Sequence, residues 1–418
     1  MSPTRNDVLI LGAGVIGLAC AHALLKAGRG VTVIDQGRIG GGASHGNCGT
    51  ITPSHAEPLA VPGTVKKALR WMFTRDAPLY VKPRLDFELF AWFLRFAHRC
   101  NEADVQRATA ARAQILNTSR KLLADLIANE GLACEFEERG TLYAYRTEAG
   151  QEADLRHERV LAEVGIPTRR LNRAEMQARE PSLRDEVIGG LLHPHDAHLR
   201  PDKYAAELAR RVRELGGTII EQCRVDGFVR EGDLVTHVST SQGYMAADEV
   251  VLALGAWSPL VAHQLDLRLP VQPGKGYSIT YSRPSICPST PLVLRERSVC
   301  VTGWSSGYRL GSTMEFSGYD DSLNRLRLDA LKRGAAEYLR EPEGPAVIEE
   351  WFGWRPMTYD DLPIIGRAPR SVNLMLATGH GMLGVSMSAA TGLLVSELMA
   401  GRDTSFDAQP YRPERLDL

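Results

Sequence analysis

Hydrophobic and polar positions near the amino terminus follow the order strand, helix, strand. Residues 7–12 form an apolar run that ends in glycine, residues 15–27 place apolar positions at helical spacing, and residues 30–35 form a second apolar run. Two short apolar runs joined by a helix are typical of a βαβ unit, whose strands lie side by side in a parallel sheet. The pattern therefore predicts that the chain opens with a parallel βαβ unit.

Helices dominate the part of the chain that follows. Helical spacing over residues 85–100 and 103–129 predicts two helices, and Gly131 is placed to end the second. Residues 139–145 indicate a strand, and residues 150–165 indicate another helix. This stretch contains no βαβ order, which indicates that it is inserted material.

Strand-like segments return near residue 189. They surround a helix predicted over residues 202–215, and residues 249–254 form a nearly all-apolar run of the kind found in buried parallel strands. The remaining predicted elements are strands at 218–225, 227–229, 234–239 and 243–246, strands within 270–313, a helix at 323–339, strands within 354–366 and at 373–378, and a helix at 385–399. The pattern of strands and helices typical of a nucleotide-binding domain therefore occurs in three separate segments of the chain.

These pieces predict an α/β protein of two interleaved domains. A Rossmann-like nucleotide-binding domain with a parallel sheet is predicted from residues 1–52, 190–265 and 350–418. A substrate-binding domain, built on a mixed antiparallel sheet plus helices, is predicted from residues 53–189 and 266–349.

Composition narrows the class of protein. The 418 residues are 44% hydrophobic and carry a net charge of −1, so a large core is possible and the basic stripe of a nucleic-acid binder is missing. The seven cysteines include no CxxC pair, which argues against a structural zinc site and fits a reducing compartment such as the cytoplasm. The uncharged run 8–25 contains three glycines and leads directly into a strand, which argues against a signal peptide or a membrane span.

The turn of the βαβ unit carries a dinucleotide-binding fingerprint. Gly12, Gly14 and Gly17 fit G-x-G-x-x-G between the first strand and its helix, and Asp35 ends the second strand. Gly12 permits the sharp turn, Gly14 lets a pyrophosphate approach the backbone, and Gly17 allows close helix–strand packing. The free N–H groups at the helix start attract phosphate, and a carboxylate at position 35 is placed to accept the ribose hydroxyls.

Three further blocks identify a family. Residues 41–51, residues 250–258, and residues 353–366 with 377–384 resemble the flavin-dependent D-amino-acid oxidases and dehydrogenases, a family that includes glycine and sarcosine oxidases. Segments 52–63 and 275–280 are most similar to its bacterial D-amino-acid dehydrogenase branch, which includes D-hydroxyproline dehydrogenase-type enzymes.

The resemblance implies that the cofactor is FAD. Some relatives attach FAD through a histidine three residues before the glycine matched by Gly49, but Gly46 stands there, so the FAD is expected to be non-covalent, with His45 and Cys48 merely lining the site. The glycine loop before the last helix is expected to direct N–H groups at the flavin and to stabilise the reduced ring. The predicted cofactor-binding residues are Gly12, Gly14, Val15, Ile16, Gly17, Asp35, Gly42, Ala43, Ser44, Asn47, Gly49, Thr50, Val225, Gly255, Trp257, Gly379, His380, Gly381, Met382, Leu383 and Gly384.

Three residues are the candidates for catalysis. Arg355 stands where relatives hold the substrate carboxylate, and a guanidinium suits that task because it donates two parallel hydrogen bonds. The alternative for Arg355 is a structural ion pair with Asp360 or Asp361. Tyr277 is either a hydrogen-bonding partner of the substrate carboxylate or a plain strand aromatic. His55 lines the entrance of the active site or belongs to the loop surface.

Other polar residues are not expected to act in the reaction. Some oxidases of the family place a substrate tyrosine where Cys300 stands, which separates this chain from glycine oxidase. Glu57 is expected on the loop surface. The histidines at 193, 195 and 198 belong to a connector, and no metal site is predicted.

The resemblance implies a reaction and leaves alternatives. Arg355 would anchor a D-amino acid, plausibly a cyclic imino acid such as D-proline or D-hydroxyproline, while a hydride passes from Cα to flavin N5. The acceptor would be a quinone or a redox partner protein, with possible peripheral docking on the cytoplasmic face of the inner membrane or a homo- or hetero-oligomer. No basic amphipathic helix stands out for such docking. The alternatives are an oxidase of glycine- or sarcosine-type amines or of a 2-hydroxy acid, a nicotinamide dehydrogenase, and a non-catalytic FAD-binding subunit.

Overall fold

A computed structural model describes residues 6–71 and 77–416. Its strands are β1 Asn6–Leu11, β2 Val31–Ile34, β3 Thr50–Ile51, β4 Leu79–Val81, β5 Thr141–Tyr145, β6 Arg169–Asn172, β7 Gly189–His193, β8 Ala197–His198, β9 Thr218–Ile220, β10 Val225–Glu231, β11 Leu234–Thr240, β12 Gly243–Leu252, β13 Val271–Tyr281, β14 Leu292–Leu294, β15 Val299–Trp304, β16 Gly307–Phe316, β17 Val347–Thr358, β18 Ile364–Arg367 and β19 Leu374–Thr378. Its α-helices are α1 Val15–Lys26, α2 Thr64–Trp71, α3 Phe87–Arg99, α4 Glu102–Glu130, α5 Glu148–Ala153, α6 Leu155–Glu163, α7 Arg173–Arg179, α8 Pro201–Glu214, α9 Ser258–Ala262, α10 Arg325–Ala336 and α11 Gly384–Met399.

The first sheet has a parallel centre. Strand β1 pairs in parallel with β2 on one side and with the second half of β12 on the other, and β9 and β19 continue the parallel order outward. The first half of β12 turns antiparallel to β11, and β18 is antiparallel to β19. Residues Val8 to Leu11 have no exposed surface because helices cover the sheet, as a parallel sheet requires. Helix α1 packs against α8 and α11.

The second sheet is mixed and mostly antiparallel. Its strands follow the order β17-β13-β16-β15-β14-β5-β7-β6, with β4 joined to β16. The pairs β14–β5 and β16–β4 are parallel and the others are antiparallel. The predicted fold class, a Rossmann-like parallel sheet interleaved with a mixed antiparallel sheet and helices, is therefore confirmed.

Several predicted helices match the structure closely. Helices α3, α4 and α8 lie within two residues of their predicted ranges. The single helix expected over 150–165 is wrong, because the chain breaks at Asp154 between α5 and α6. The Asp154 carboxylate leaves helical register to accept hydrogen bonds from Tyr145, at 2.7 Å, and from the Arg295 guanidinium.

Two of the predicted domain boundaries fall inside strands of the second sheet. The boundary at 190 falls inside β7 and the boundary at 350 falls inside β17, and both strands belong to the second sheet. Each is followed by a turn, so the change of sheet occurs after the strand and not within it. The division into two functional domains remains a prediction.

The expected lack of a basic amphipathic helix is wrong. Helix α2 carries Lys66, Lys67 and Arg70 beside the exposed apolar residues Val65 and Leu69, and none of its residues is buried. Eight residues are too few for its periodicity to be seen in the sequence. No helix within residues 6–71 and 77–416 combines the length and the apolar composition needed to cross a bilayer.

Candidate cofactor and substrate site

One cavity of about 530 Å³ connects the two sheets. It begins at the turn between β1 and α1 and reaches the second sheet at β13, β15, β16 and β17. Twenty predicted site residues line it, namely Gly12, Gly14, Val15, Ile16, Asp35, Gly42, Ala43, Ser44, Asn47, Thr50, His55, Gly255, Trp257, Tyr277, Arg355, His380, Gly381, Met382, Leu383 and Gly384. The structure therefore brings together positions that are separated by up to 372 residues in the chain.

The start of helix α1 forms one end of the cavity. Gly12 has a φ of +109°, and a Cβ at this residue would lie 2.5 Å from the carbonyl oxygen of Ala253, so only glycine fits the turn. Gly14 is the N-cap and has no side chain to satisfy the first N–H groups of the helix. The hydroxyl of Ser44 accepts a hydrogen bond from the Val15 N–H at 3.1 Å, which holds the 40–49 loop over the helix start.

Asp35 closes the same end of the cavity. Its carboxylate accepts hydrogen bonds from the Ala13 N–H and the Gly37 N–H, both at 2.8 Å, so its orientation is fixed by two backbone groups. Burial raises the pKa of Asp35 above its ordinary value, while these two hydrogen bonds lower it. An acceptor held in this position suits the hydroxyl groups of a ribose.

A second helix start lies on the opposite wall. Helix α11 begins at Gly384, its N-cap Leu383 provides no side-chain hydrogen bond, and its first turn contains no acidic residue. The His380 imidazole exchanges a hydrogen bond of 3.0 Å with Thr391 of α11, and burial lowers the pKa of His380 to about 3, so the ring is neutral. His380 therefore fixes the loop on the helix, and the free N–H groups of the helix start remain available to an anion.

Four predicted cofactor residues lie behind the cavity wall and do not line it. Gly17 packs on the Gly12 carbonyl, Gly49 packs on the Leu199 carbonyl, and Gly379 packs on Thr358, each so closely that a side chain would clash. The fourth is Val225, whose cofactor role stays a prediction. The strand predicted over 218–225 is wrong, because β9 ends at Ile220. The chain then crosses the sheet edge and Val225 opens β10, where it pairs with Thr240.

Arg355 occupies the far wall of the cavity. Its guanidinium lies over Gly276, where a Cβ would stand 2.3 Å from Cζ, and one of its N–H groups donates to the Thr313 carbonyl at 2.6 Å. Thr313 and Ser312 have φ values of +62° and +142°, at an irregularity in the pairing of β13 with β16. Such strained bulges are found next to active sites, where they redirect a group, and here the bulge directs a carbonyl at Arg355.

The alternative ion pairs for Arg355 are not present. Asp360 pairs with Arg415 at 2.8 Å, and Asp361 pairs with Arg112 at 2.7 Å. Within the described part of the chain, no carboxylate lies within ion-pair distance of Arg355. Burial lowers the pKa of Arg355 below its ordinary value, and the guanidinium stays charged near neutral pH. The cavity therefore contains an uncompensated cation.

Tyr277 contributes its ring to the wall. Its hydroxyl donates to the Glu315 carboxylate at 3.1 Å, away from Arg355, and the same carboxylate oxygen accepts from Asn324 at 3.1 Å. Burial and Glu315 raise the pKa of Tyr277 above its ordinary value. Because the Tyr277 hydroxyl already donates its hydrogen bond to Glu315, the structure favours the alternative that Tyr277 is a plain strand aromatic over the alternative that it donates to the substrate carboxylate.

His55 is a neutral group at the edge of the site. Burial and the nearby charges of His157, Arg112 and Arg295 lower the pKa of His55 to about 3. The hydroxyl of its neighbour Ser54 donates a hydrogen bond to the Asp196 carboxylate, with 2.6 Å between the two oxygens, and this bond fixes Ser54.

Glu57 and the 193–198 histidines lie apart from the cavity lining. Glu57 pairs with His157 at 2.8 Å and with Arg156 at 3.2 Å. His193 is buried against the ring of Tyr143, with ring centres 4.4 Å apart, and Ala197–His198 forms strand β8.

Several further residues line the cavity. Trp351 and Trp354 lie on β17 with Arg355, and Trp354 packs edge-on against Trp257 with ring centres 5.4 Å apart. Cys48, which the sequence predicts to line the site, and Cys300, where some relatives have a substrate tyrosine, both line the cavity, and so does Ser312 of the bulge. Periodicity gives no signal for Trp351, Trp354 and Ser312, because their place in the cavity depends on contacts between distant parts of the chain.

Fold and site together define the class of protein. Two helix starts without acidic residues in their first turns, a carboxylate just after β2 and an arginine without a carboxylate partner among the described residues describe a dinucleotide-binding oxidoreductase. The family described as FAD dependent oxidoreductase (DAO) matches residues 7–398, and this chain belongs to it. The cofactor is FAD, and the residues fit it because the uncapped helix starts supply N–H groups for its anionic parts.

Relatives and solved structures agree with this assignment. A D-amino acid dehydrogenase of Rhizobium rhizogenes is 35% identical over 409 residues, covering 96% of this chain and 97% of the relative. A D-amino acid dehydrogenase of Sinorhizobium medicae is 37% identical over 417 residues, covering 96% and 97%. In fold, the chain is similar to glycine oxidase from Geobacillus kaustophilus, with a TM-score of 0.79 at 24% identity and 98% coverage of both chains. It is also similar to L-proline dehydrogenase from P. horikoshii, with a TM-score of 0.74 at 20% identity, covering 99% of this chain and 98% of that one.

Proposed function

We propose that this FAD-dependent D-amino-acid dehydrogenase acts on cyclic imino acids such as D-proline or D-hydroxyproline. The observation that carries the proposal is Arg355, a charged guanidinium on the cavity wall with no carboxylate partner among the described residues. A buried cation without an anion is costly, and a substrate carboxylate removes that cost when it binds. The D-amino acid dehydrogenase relatives support the class of substrate.

The walls beside Arg355 favour a compact and uncharged substrate body. The lining there consists of Trp351, Trp354, Tyr277 and the two thiols, and the acidic residue that lines the cavity, Asp35, lies at the α1 end. A charged substrate side chain would find no partner on these walls, whereas the flat face of a five-membered ring can lie against an indole. These contacts support a cyclic imino acid over a diacid or a basic amino acid.

The chain positions the substrate, and the cofactor performs the oxidation. Bound FAD supplies the two-electron oxidation of the substrate carbon–nitrogen bond. Arg355 binds and orients the carboxylate, and the indole and thiol walls exclude water from the reacting carbon. The start of α11 provides N–H groups and the positive end of a helix dipole, which favour negative charge at the site. No side chain is assigned as a base, because an amine that enters uncharged requires none.

An anaerobic absorption experiment tests the proposed function. We expect the oxidised-flavin absorbance of the purified protein to bleach with D-proline or a D-hydroxyproline isomer and to persist with the L-enantiomers. Glycine, sarcosine and a 2-hydroxy acid serve as alternative substrates. Bleaching by one of these instead would replace the proposed substrate, and a flavin that no compound reduces would favour a non-catalytic FAD-binding subunit.

We also propose that a quinone or a redox protein accepts the electrons, and that the protein docks on an anionic membrane surface. The support is a stripe of exposed apolar side chains on and beside helix α3, which we name the α3 face: Leu85, Phe87, Phe90 and Leu94. Leu85 is 99% exposed and Phe87 is 85% exposed, and the last three residues follow the spacing of one helix side. Large apolar side chains in such a row mark a surface that is covered by a partner.

The charge near the α3 face favours an anionic bilayer as that partner. Residues 59–99 contain eight Lys and Arg but three Asp and Glu, a net charge of +5, whereas the whole chain carries −1. The exposed cations include Lys66, Lys67 and Arg70 on α2 and Arg95 on α3. Apolar side chains that enter the headgroup boundary, with cations beside them, are the recognised form of a peripheral membrane anchor.

Vesicle binding tests the α3 face. We expect the protein to sediment with vesicles containing phosphatidylglycerol, to be released by high salt, and to bind phosphatidylcholine vesicles weakly. Replacing both Phe87 and Phe90 by serine is expected to weaken binding at least about tenfold, since burying one large apolar side chain contributes about 1.5–3 kcal/mol. The matched control replaces Val347 and Ile348, which are also exposed but lie elsewhere, at 49% and 64%.

Two results would contradict the membrane proposal. If both vesicle types bind equally poorly at low salt, the α3 face does not contact lipid. If the Phe87 and Phe90 substitutions instead convert a dimer to a monomer in light scattering, the face joins two copies of the chain.

A further inference from the structure

Two cysteines from different parts of the chain meet in the cavity wall. The Cys48 carbonyl accepts a hydrogen bond of 2.8 Å from the Thr302 hydroxyl on β15. The Cys48 sulfur lies 2.5 Å from the position that a Cβ on Gly311 would take, and Gly311 is the cross-strand partner of Cys300. Cys300 is two residues from Thr302, so both point to the same side of β15. These contacts place the Cys48 sulfur directly beside Cys300.

Two guanidinium groups flank the thiol pair. Arg309 donates to the carbonyls of His45 and Asn47, at 3.0 Å and 2.7 Å, and so holds the segment that leads into Cys48. The Cys300 thiol, Arg309 and Arg355 stabilise the Cys48 thiolate and lower the pKa of Cys48, although burial raises it. Burial instead raises the pKa of Cys287 to about 11.

We propose that Cys48 and Cys300 form a redox-active dithiol, and that a hydroperoxide converts it to a disulfide inside the substrate half of the cavity. Both thiols line the cavity and are partly accessible from it, so a molecule as small as hydrogen peroxide reaches them along the substrate route. Low-pKa, accessible thiols with a second cysteine beside them are the form that peroxide-sensitive sites take.

The chemistry balances with one peroxide for each pair. The Cys48 thiolate sulfur attacks one peroxide oxygen, the O–O bond breaks, and a sulfenic acid and hydroxide form. The Cys300 sulfur then attacks the sulfenic sulfur, the S–S bond forms, and the S–O bond breaks with loss of water. The two thiols supply two electrons and two protons, and the peroxide becomes two molecules of water.

The disulfide would join the 40–49 loop to the second sheet near Arg355, the proposed substrate-binding residue. Cys48 follows the loop that Ser44 holds over helix α1, whereas Cys300 lies on the second sheet. The bond draws the Cys48 and Cys300 sulfurs together and so shifts the cavity wall beside Arg355. Because small displacements in an active site have large effects on rate, we expect reduction of the flavin by substrate to slow about tenfold or more.

Thiol counting and peptide mapping on the FAD-loaded protein test the proposal. We expect one equivalent of hydrogen peroxide to remove two titratable thiols, to produce a single peptide pair linked through Cys48 and Cys300, and to be reversed by dithiothreitol. Cys300→Ser is expected to stop at a Cys48 sulfenic acid that dimedone traps. The control Cys287→Ser, which removes another thiol packed near β15, is expected to leave the crosslink unchanged.

Thiol counting and peptide mapping give a result that does not depend on the proposed substrate. If both thiols survive an equivalent of peroxide, or if the linked peptides contain other cysteines, the dithiol proposal is wrong whatever the enzyme oxidises. If a cysteine variant does not fold, peptide mapping of the natural chain still shows whether Cys48 and Cys300 form the disulfide. A crosslink that forms without slowing reduction of the flavin overturns the assignment of the pair to the substrate half.

Discussion

Arg355→Met is expected to abolish most of the reduction of FAD by substrate while the protein keeps its flavin. A carboxylate that binds a buried guanidinium gains two charge-assisted hydrogen bonds, and removing one partner of such a pair costs about 3–4 kcal/mol, or about 100-fold to 1,000-fold in kcat/KM. Flavin retention follows from the position of Arg355 on β17, where it bonds to the Thr313 carbonyl and not to the loops of the dinucleotide end. Rapid-mixing reduction kinetics and flavin content measure the two effects separately.

The same substitution is expected to leave stability unchanged or to raise it. Arg355 has no carboxylate partner among the described residues, so its burial opposes folding, and burial lowers its pKa for the same reason. Methionine fills similar space without a charge. A midpoint of thermal unfolding equal to or above that of the natural chain, together with lost turnover, would identify Arg355 as a residue kept for function.

Two further variants separate charge from geometry. Arg355→Lys keeps the cation but loses the planar fork, so we expect it to recover only part of the activity. Arg325→Met is the control. It removes an exposed arginine of helix α10 that pairs with Glu350, which lies on β17 like Arg355, and it is expected to leave the kinetics unchanged. If Arg355→Met reduces the flavin as fast as the natural chain, the carboxylate binds elsewhere and the proposed substrate position is wrong.

Sequence alone predicts the dinucleotide end well because its chemistry is local. The turn, the glycines and the helix start lie within residues 12–17, and each residue type has one physical role in that turn. Asp35 follows from the length of the same βαβ unit. The role of Arg355 is predicted through a family resemblance, since nothing in its periodicity distinguishes it from a structural arginine.

The substrate end could not be predicted in this way because it depends on contacts between distant strands. The bulge at Ser312 and Thr313 shifts the pairing of β13 with β16, and this decides that the Tyr277 hydroxyl meets Glu315. The predicted strand 218–225 differs from the structure for a related reason. An alternating pattern continues through residues 218–229, but the chain changes partners between Ile220 and Val225.

Gly14→Ala is expected to separate the fold from the cofactor. The backbone of Gly14 has a φ of −72° and a ψ of +173°, which alanine adopts without strain, and the nearest atom to an added Cβ is the Ser44 hydroxyl at 3.4 Å. The apoprotein should therefore unfold within about 0.5 kcal/mol of the natural chain. The added methyl group stands in the cavity at the start of α1, where phosphate must approach the backbone, so FAD affinity should fall at least about 100-fold, or about 3 kcal/mol.

Gly12→Ala provides the contrast that makes the result decisive. There the Cβ would lie 2.5 Å from a backbone carbonyl at a φ of +109°, so the turn itself is lost and both stability and FAD binding should fall. Flavin titration and thermal unfolding of the apoproteins measure the difference. Should Gly14→Ala destabilise the apoprotein, the double variant with Ser44→Gly removes the hydroxyl group that lies nearest to the new methyl group among the described residues. A Gly14→Ala protein that binds FAD with natural affinity would show that the phosphates do not lie against this turn, because no bound phosphate and added methyl group can occupy the same space.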